Sequence, residues 1–296
     1  MASAIDTQKQ IDVYPTRLTK PGQIEPRPHP VVWGRWEGPL NASAIRGYDD
    51  RGYHVNQAVL APSEIEAVLS EVDVVTRRLG DDQRVIRESS SGDVRSVFAV
   101  HELSDLIAEI CDRDELAGVA RQILGDDVYI HQCRVNLKPG FAGGPFYWHS
   151  DFETWHAEDG MPAPRALSVS LALTPNYEFN GPLMIVPGSH RRFIPCVGAT
   201  PESYHRQSLE SYRPPFGTPE ETDVAALADE LGVDLVTGPA GSALYFDSNC
   251  LHASAGNISP YPRSNLFVVF NARSNALAEP FAGTAPRPRY LAQRDG

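Results

Sequence analysis

Apolar positions in the first half of the chain recur at the spacing of helices. One such stretch predicts a helix that starts at about residue 63 and ends at Gly80. Ser63 is its expected N-cap, and Glu66 is expected to complete a capping box. The same periodicity predicts two more helices, over 104–111 and 114–124. The apolar face of the first helix is formed by Ile65, Val68, Leu69, Val72, Val75 and Leu79.

From Val128 onward the pattern becomes that of strands. A long strand is predicted over 128–138, and a half-buried strand over 167–173, where apolar and small polar residues alternate. An irregular loop over 197–218 and a short helix over 220–231 interrupt the strands. Shorter strands are predicted over 52–55, 183–186, 243–246 and 266–270. Many short antiparallel strands after a helical opening predict a mainly β fold with flanking helices, the jelly-roll (double-stranded β-helix) of cupin-like barrels.

The chain shows no internal repeat, and its length suits one large domain. Trp33 and Trp36 lie in a Pro- and Arg-rich opening that otherwise resembles surface chain. We expect these tryptophans to dock the opening onto the domain or onto a second subunit. The predicted organisation is a single domain over 1–296, with an extended arm over 1–45, helical support over 46–127 and a barrel core over 128–275.

Charge and cysteine content narrow the class of protein. The net charge of −12 argues against nucleic acid or an anionic membrane as a partner, because both attract basic surfaces. No apolar run approaches the roughly 20 residues of a membrane span, and no signal peptide is visible. We therefore expect a cytoplasmic protein. Its scattered cysteines predict neither a disulfide framework nor a zinc site: Cys111, Cys133, Cys196 and Cys250.

Candidate chemistry centres on His149-x-Asp151. In a strand, alternate side chains share a face, so both residues would point at one metal ion. An imidazole and a carboxylate supply two-thirds of the 2-His-1-carboxylate triad that holds non-haem Fe(II) with open positions. His252, just past the apolar run at 243–246, fits the third position. Taken alone, the motif also fits an ordinary polar loop.

Further motifs remove that ambiguity. Pro187-Gly188-Ser189-His190 follows an apolar run, and Arg263 lies eleven residues after His252. This order resembles that of the phytanoyl-CoA dioxygenase superfamily of Fe(II)/2-oxoglutarate oxygenases. The seventeen positions from Phe146 to Pro162, FYWHSDFETWHAEDGMP, look like the signature of the ectoine hydroxylase family. The resemblance extends upstream to Asp12–Arg17.

The resemblance implies a reaction and a set of roles. Fe(II), 2-oxoglutarate and O2 would hydroxylate L-ectoine, a compatible solute, to 5-hydroxyectoine, releasing succinate and CO2. The family also implies a homodimer. The expected metal ligands are His149, Asp151 and His252. The expected 2-oxoglutarate contacts are Lys138, Phe146, Ser254 and Arg263, the last because guanidinium grips carboxylate bidentately. The expected ectoine contacts are Gln132, Thr154, Trp155 and Asn265.

Two other interpretations remain open at this point. The protein could be a related hydroxylase of another small amino acid, or a barrel that binds a metal or small ligand without turnover. Neighbouring polar residues are not expected to be metal ligands, and His190 is expected to orient a turn through hydrogen bonds. The excluded residues are Glu153, His156, Glu158, Asp159 and His190.

Overall fold

The computed structural model describes residues 12–34 and 37–294. No helix within these residues is long and apolar enough to cross a membrane. The described α-helices are α1 (Ala42–Arg51), α2 (Pro62–Leu79), α3 (Asp105–Asp112), α4 (Val119–Leu124), α5 (Asp151–Thr154), α6 (His205–Glu210) and α7 (Glu221–Leu231). π-helical turns over Asp114–Gly118 and Trp155–Asp159 lead into α4 and continue α5, respectively. The helices predicted over 104–111, 114–124 and 220–231 are thus confirmed.

Helix α2 confirms the predicted apolar face but not the predicted start. Its buried residues are Ile65, Val68, Val72 and Val75, and Gly80 caps its end. The N-cap is Ala61, whose N–H donates to the Glu64 carboxylate at 2.8 Å, so the assignment of Ser63 and Glu66 is wrong. The reason is Pro62, which suits the first helical position and places Ser63 inside the first turn.

The strands are antiparallel and form a jelly-roll, which confirms the predicted fold. A seven-stranded sheet has the order β2-β11-β7-β13-β5-β4-β3, and a four-stranded sheet has the order β10-β8-β12-β6. Among the described residues, no strand ladder joins these two sheets into a closed barrel. The strands are β1 (Glu25–Pro26), β2 (Tyr53–Asn56), β3 (Val85–Arg87), β4 (Val94–Phe98), β5 (Val128–Lys138), β6 (Phe146–His149), β7 (Ala166–Ala172), β8 (Leu183–Ile185), β9 (Arg192–Phe193), β10 (Asp234–Val236), β11 (Ala243–Asp247), β12 (His252–Ser254) and β13 (Arg263–Ala272).

Strand β7 is buried on both faces, so the prediction of a half-buried strand is wrong. Its apolar residues Val169 and Leu171 join the main core, in which the seven-stranded sheet packs against the helices. Ser168 and Ser170, on the opposite face, are also buried. The small polar side chains face the interior of the jelly-roll rather than solvent, which is why alternation did not indicate exposure here.

The N-terminal arm packs against the domain. Tyr14 is only 1% exposed, and the Trp33 ring lies 4.7 Å from the Arg165 guanidinium carbon. Trp33 therefore docks the arm onto its own domain, while Trp36 lies outside the described residues. The Asn41 side chain accepts from two backbone N–H groups and starts α1 at Ala42, so helical structure begins before the predicted boundary at residue 45. Similarly, the loop predicted over 197–218 contains α6.

Candidate metal centre and substrate pocket

Three polar side chains meet where the four-stranded sheet ends. Strands β6 and β12 are antiparallel neighbours, and His149 pairs directly with His252. Asp151 is not on the strand as predicted from alternation, since β6 stops at His149 and Asp151 opens α5. Ser150 keeps an extended backbone between them, and the first turn of α5 then returns the carboxylate to the histidines. The two residues converge, but through a strand-to-helix turn.

The geometry of the three groups suits a metal ion. Their potential ligand atoms all lie within 4.8 Å of one another. His149 Nε2 is 3.5 Å from Asp151 Oδ1, and His252 Nε2 is 4.0 Å from Asp151 Oδ2. Among the described residues, this is the one cluster of three or more His, Cys, Asp or Glu able to hold a metal. Two histidines and a carboxylate form the donor set of non-haem Fe(II) sites.

Backbone carbonyls orient both imidazoles. Nδ1 of His149 is 2.6 Å from the carbonyl of Tyr147, and Nδ1 of His252 is 3.0 Å from the carbonyl of Cys250. A carbonyl only accepts, so each Nδ1 carries the hydrogen and each Nε2 lone pair is left for a metal. The Ser168 hydroxyl, 3.2 Å from Asp151 Oδ2, adds a hydrogen bond to the carboxylate. Such supporting contacts fix ligand orientation.

Electrostatics keep the groups in their metal-binding forms. Burial and the adjacent His149 lower the pKa of His252 to about 4, so its imidazole is neutral near pH 7. Burial opposes the charge of Asp151, but His252 and His149 outweigh burial and hold its pKa below the ordinary value. A neutral imidazole and an ionised carboxylate are the states that coordinate a cation.

A cavity of about 120 Å³ opens beside the cluster. One wall is the pocket helix, residues 151–159, which contributes Asp151, Thr154, Trp155 and Glu158. A second wall is the pocket loop, residues 208–218, which starts in the last residues of α6. The remaining lining residues are Arg95, Ser96, Phe98, Gln132, Arg134, Phe146, Tyr147, His149 and Arg287.

The residues expected to bind 2-oxoglutarate lie together on neighbouring strands. Lys138 pairs with Arg263 across β5 and β13, and its Nζ is 2.9 Å from the Ser254 hydroxyl and 5.5 Å from the centre of the Phe146 ring. The Arg263 guanidinium donates to the carbonyl of Gly181, while its buried Nε has no hydrogen-bond partner. Within the described part of the chain, neither cation forms a salt bridge.

Burial without a counter-ion is unfavourable for both cations. Burial, together with Arg263 and Arg95, lowers the pKa of Lys138 to about 6. Burial alone lowers the pKa of Arg263 to about 10. An anionic ligand would supply the missing partner, so this site fits a dicarboxylate such as 2-oxoglutarate.

Three of the four residues expected to contact ectoine line the cavity: Gln132, Thr154 and Trp155. The Trp155 ring packs edge-on to His131 at 5.1 Å, and Gln132 Nε2 donates to the Leu291 carbonyl. Asn265 lies elsewhere. It is buried beside Arg263 on β13 and donates to the Ser170 hydroxyl at 3.0 Å.

Several lining residues escaped the sequence analysis. Arg134 was detectable in principle, because it lies two residues from Gln132 on the same face of β5. Arg287 follows a Pro-rich stretch with no local indication, and it forms a bidentate pair with the buried Asp159 at 2.7 and 2.6 Å. Glu158 lines the cavity without joining the metal cluster.

The histidines excluded as ligands also lie outside the cluster. His156 Nε2 is 3.0 Å from Asp12, and His190 Nε2 is 3.0 Å from the carbonyl of Asp49. His190 thereby ties the turn after β8 to α1, as expected.

Fold and site together define a class, the jelly-roll oxygenases with non-haem Fe(II) held by two histidines and a carboxylate. The model of the phytanoyl-CoA dioxygenase family matches residues 48–265. The chain belongs to the phytanoyl-CoA dioxygenase family.

Relatives that match over nearly the whole chain narrow the comparison to particular proteins. The chain is 51% identical to the ectoine dioxygenase of Nocardia farcinica, over 98% of this chain and 96% of that protein. It is 48% identical to the ectoine dioxygenase of Halomonas elongata, over 95% and 86% respectively. It superposes with a TM-score of 0.85 on the crystal structure of EctD from S. alaskensis with 2-oxoglutarate and 5-hydroxyectoine. That structure is 40% identical, and the match covers 96% of this chain and 95% of the other.

Proposed function

We propose that this protein is an Fe(II)- and 2-oxoglutarate-dependent dioxygenase that hydroxylates L-ectoine to 5-hydroxyectoine. The observation that carries the proposal is the cluster of His149, Asp151 and His252 beside a cavity lined by Trp155. Relatives named ectoine dioxygenase, at 43–51% identity over nearly the whole chain, support the choice of substrate.

In this proposal His149, Asp151 and His252 hold Fe(II). Bound Fe(II) and 2-oxoglutarate supply the oxidising chemistry that places one oxygen atom of O2 on the substrate and the other on succinate, with loss of CO2. Arg263 neutralises the far carboxylate of 2-oxoglutarate, because it is a buried cation without a carboxylate partner in the described chain. Lys138, Ser254 and Phe146 complete this binding site.

The cavity matches the chemistry of ectoine, a small cyclic zwitterion with a delocalised amidinium and a carboxylate. The indole of Trp155 offers a π face to the cation. Guanidinium groups of Arg134 and Arg287 line the same cavity and suit the carboxylate. Gln132 and Thr154 supply polar contacts. For Asn265 we propose an indirect contribution, through the strand that carries Arg263.

NMR of the purified protein with Fe(II), 2-oxoglutarate, O2 and L-ectoine tests the proposal, beside a control without ectoine. Succinate and a hydroxylated ectoine should appear together, and only in the full mixture. Succinate with another small amino acid, but no new ectoine product, would favour the related hydroxylase. Absence of both products from the iron-loaded protein would favour a non-catalytic barrel.

The proposal also covers the domain organisation, the cellular location and the oligomeric state. We infer one domain over residues 1–296, in the cytoplasm and as a homodimer. All four cysteines are free and buried, which suits a reducing compartment.

An exposed aromatic cluster of Tyr177, Phe179 and Tyr261 supports self-association. Light scattering at micromolar concentration tests the dimer, and a monomer mass would contradict it.

A further inference from the structure

Arg17 of the N-terminal arm binds two carboxylates of the pocket helix. Its Nε is 2.8 Å and its second terminal nitrogen 3.1 Å from the two Glu153 oxygens, and that same nitrogen is 3.1 Å from Glu158 Oε1. The three side chains are 1–5% exposed. Glu153 lies between Asp151 and Trp155 in the sequence, and Glu158 lines the cavity. One guanidinium therefore fixes the segment that carries a metal ligand and the pocket tryptophan.

The same guanidinium also contacts the opposite wall. A Cβ atom added to Gly217, in the pocket loop, would lie 2.6 Å from a terminal nitrogen of Arg17, so the loop backbone rests against the guanidinium. The remaining terminal nitrogen donates to the Thr200 hydroxyl at 2.9 Å. Arg17 thus lies between the pocket helix and the pocket loop.

The local backbone shows how firmly this arrangement is held. Arg17 has φ of 56°, in the left-handed region that non-glycine residues rarely adopt. Such a conformation persists where surrounding contacts over-determine it. Next to it, the Thr16 hydroxyl donates to Glu153 at 2.6 Å and accepts the Cys196 N–H at 2.9 Å.

We propose that Arg17 is a positioning residue for the substrate pocket, which sets the orientation of Trp155 by clamping the pocket helix against the pocket loop. The inference rests on the proposed function for its substrate. Buried ion pairs that lose one partner leave an uncompensated charge, so without Arg17 the carboxylates of Glu153 and Glu158 must move toward water. Such movement would displace Trp155, whereas the strands that carry Lys138 and Arg263 would keep their places.

Arg17→Gln and Arg17→Lys test this role through steady-state kinetics. Because small displacements of positioning groups are costly, Arg17→Gln should raise KM for ectoine about tenfold or more. KM for 2-oxoglutarate should stay within about twofold, and succinate formed per hydroxyectoine should rise. Arg17→Lys keeps the charge but loses the planar guanidinium that binds two carboxylates. Its KM for ectoine should therefore lie between those of the wild type and Arg17→Gln.

The control is Arg113→Gln, which removes a partly exposed ion pair. This second Arg–Glu pair, Arg113 to Glu64 at 2.7 Å, joins the turn after α3 to α2 and contains no cavity-lining residue. It should leave both KM values and the succinate ratio at wild-type levels. A change in ectoine KM matching that of Arg17→Gln would show that any loss of an ion pair affects the pocket, and would overturn the inference.

Hydrogen exchange of the whole protein without substrate provides a second readout. Exchange should accelerate over 151–159 and 208–218 in Arg17→Gln, but not in Arg113→Gln. Arg17→Gln could instead lower the melting temperature and leave the ectoine KM, the succinate ratio and the exchange in both segments unchanged. That result would show that Arg17 is only a structural residue. If Arg17→Gln does not fold, Arg17→Lys decides by the same criteria. If the wild type forms no hydroxyectoine, the proposed function fails, and exchange alone decides the role of Arg17.

Discussion

Both histidines of the metal cluster are oriented by the same kind of local hydrogen bond. In each case Nδ1 faces the carbonyl two residues earlier in the chain, so the orienting group comes from the same short segment as the ligand. The carboxylate, by contrast, depends on Ser168 of another strand. Local sequence thus orients the imidazoles, while packing of the sheet supports Asp151.

Replacing Asp151 by Asn keeps the side-chain volume but removes the anionic ligand. We expect turnover to fall at least about 100-fold, since even supporting residues of metal sites contribute 10–100-fold. Circular dichroism should remain that of the wild type. Succinate formation and bound iron are the measurements, and near-wild-type values for both would exclude Asp151 as a ligand.

We expect Lys138 to make binding of 2-oxoglutarate depend on pH. Its pKa of about 6 leaves it mostly neutral at pH 8, and a bound carboxylate should raise that pKa, so binding takes up about one proton. Affinity should therefore fall as pH rises above 6. At pH 5 the lysine is already charged and uptake should vanish.

Calorimetry of 2-oxoglutarate binding to the anaerobic Fe(II) protein, in buffers of different ionisation enthalpy, measures this proton uptake. Lys138→Met is the control and should take up no proton at pH 8. Equal uptake by both proteins would assign the proton to another group.

At the scale of the elements, β5 shows why the alternation of polar and apolar residues predicted a strand but not which of its faces is exposed. Gln132, Arg134 and Lys138 share one face and turn toward the interior, while Cys133 and Val135 pack into the main core. Both faces are largely buried, so polarity along the strand marks the binding interior rather than the solvent side.

The end of the pocket helix depends on a glycine. Gly160 has φ of 80°, and an added Cβ would lie 2.2 Å from the Ala278 carbonyl oxygen, in the C-terminal segment. Gly160→Ala should destabilise the protein by roughly 1–3 kcal/mol more than Gly92→Ala, since Gly92 has a similar φ of 77° but open space around it, so only the steric clash differs. Urea denaturation compares the two, and equal losses would show that the contact with Ala278 is unimportant.

At the scale of the whole molecule, the pocket is assembled from distant parts of the chain. The arm holds the pocket helix through Arg17, residues 149–252 contain the metal ligands, and the C-terminal segment supplies Arg287. Fe(II) would be held between α5 and strands β6 and β12, which already pair through their backbones.

Loading the site should stabilise the molecule by mass action. At ligand concentrations of 100 times Kd, the expected gain is about 2.7 kcal/mol, or several degrees in melting temperature. Thermal melts under anaerobic conditions, with Fe(II) and 2-oxoglutarate or with a chelator, measure it. Asp151→Asn should show little of the shift, and a shift equal to that of the wild type would indicate binding elsewhere.

Much of this protein was determined by the sequence alone. Periodicity predicted the jelly-roll and most helices, because amphipathic spacing reflects burial on one side of each element. His149 and Asp151 were identifiable because their spacing and the surrounding motif are local features, whereas His252, 101 residues after Asp151, was identified from the order of motifs along the chain. Only the tertiary structure decided that Asp151 begins a helix, since a continuous strand and a strand-to-helix turn can both bring the side chains of residues i and i+2 to one point.

Tertiary structure alone also brought Arg17 to Glu153, 136 residues apart, and placed Arg287 against Asp159, 128 residues apart. No periodicity links such positions, because these pairings depend on how the arm and the C-terminal segment pack over the finished sheets. Sequence motifs therefore indicate the chemistry of the metal centre, and the shape of its pocket follows from long-range packing.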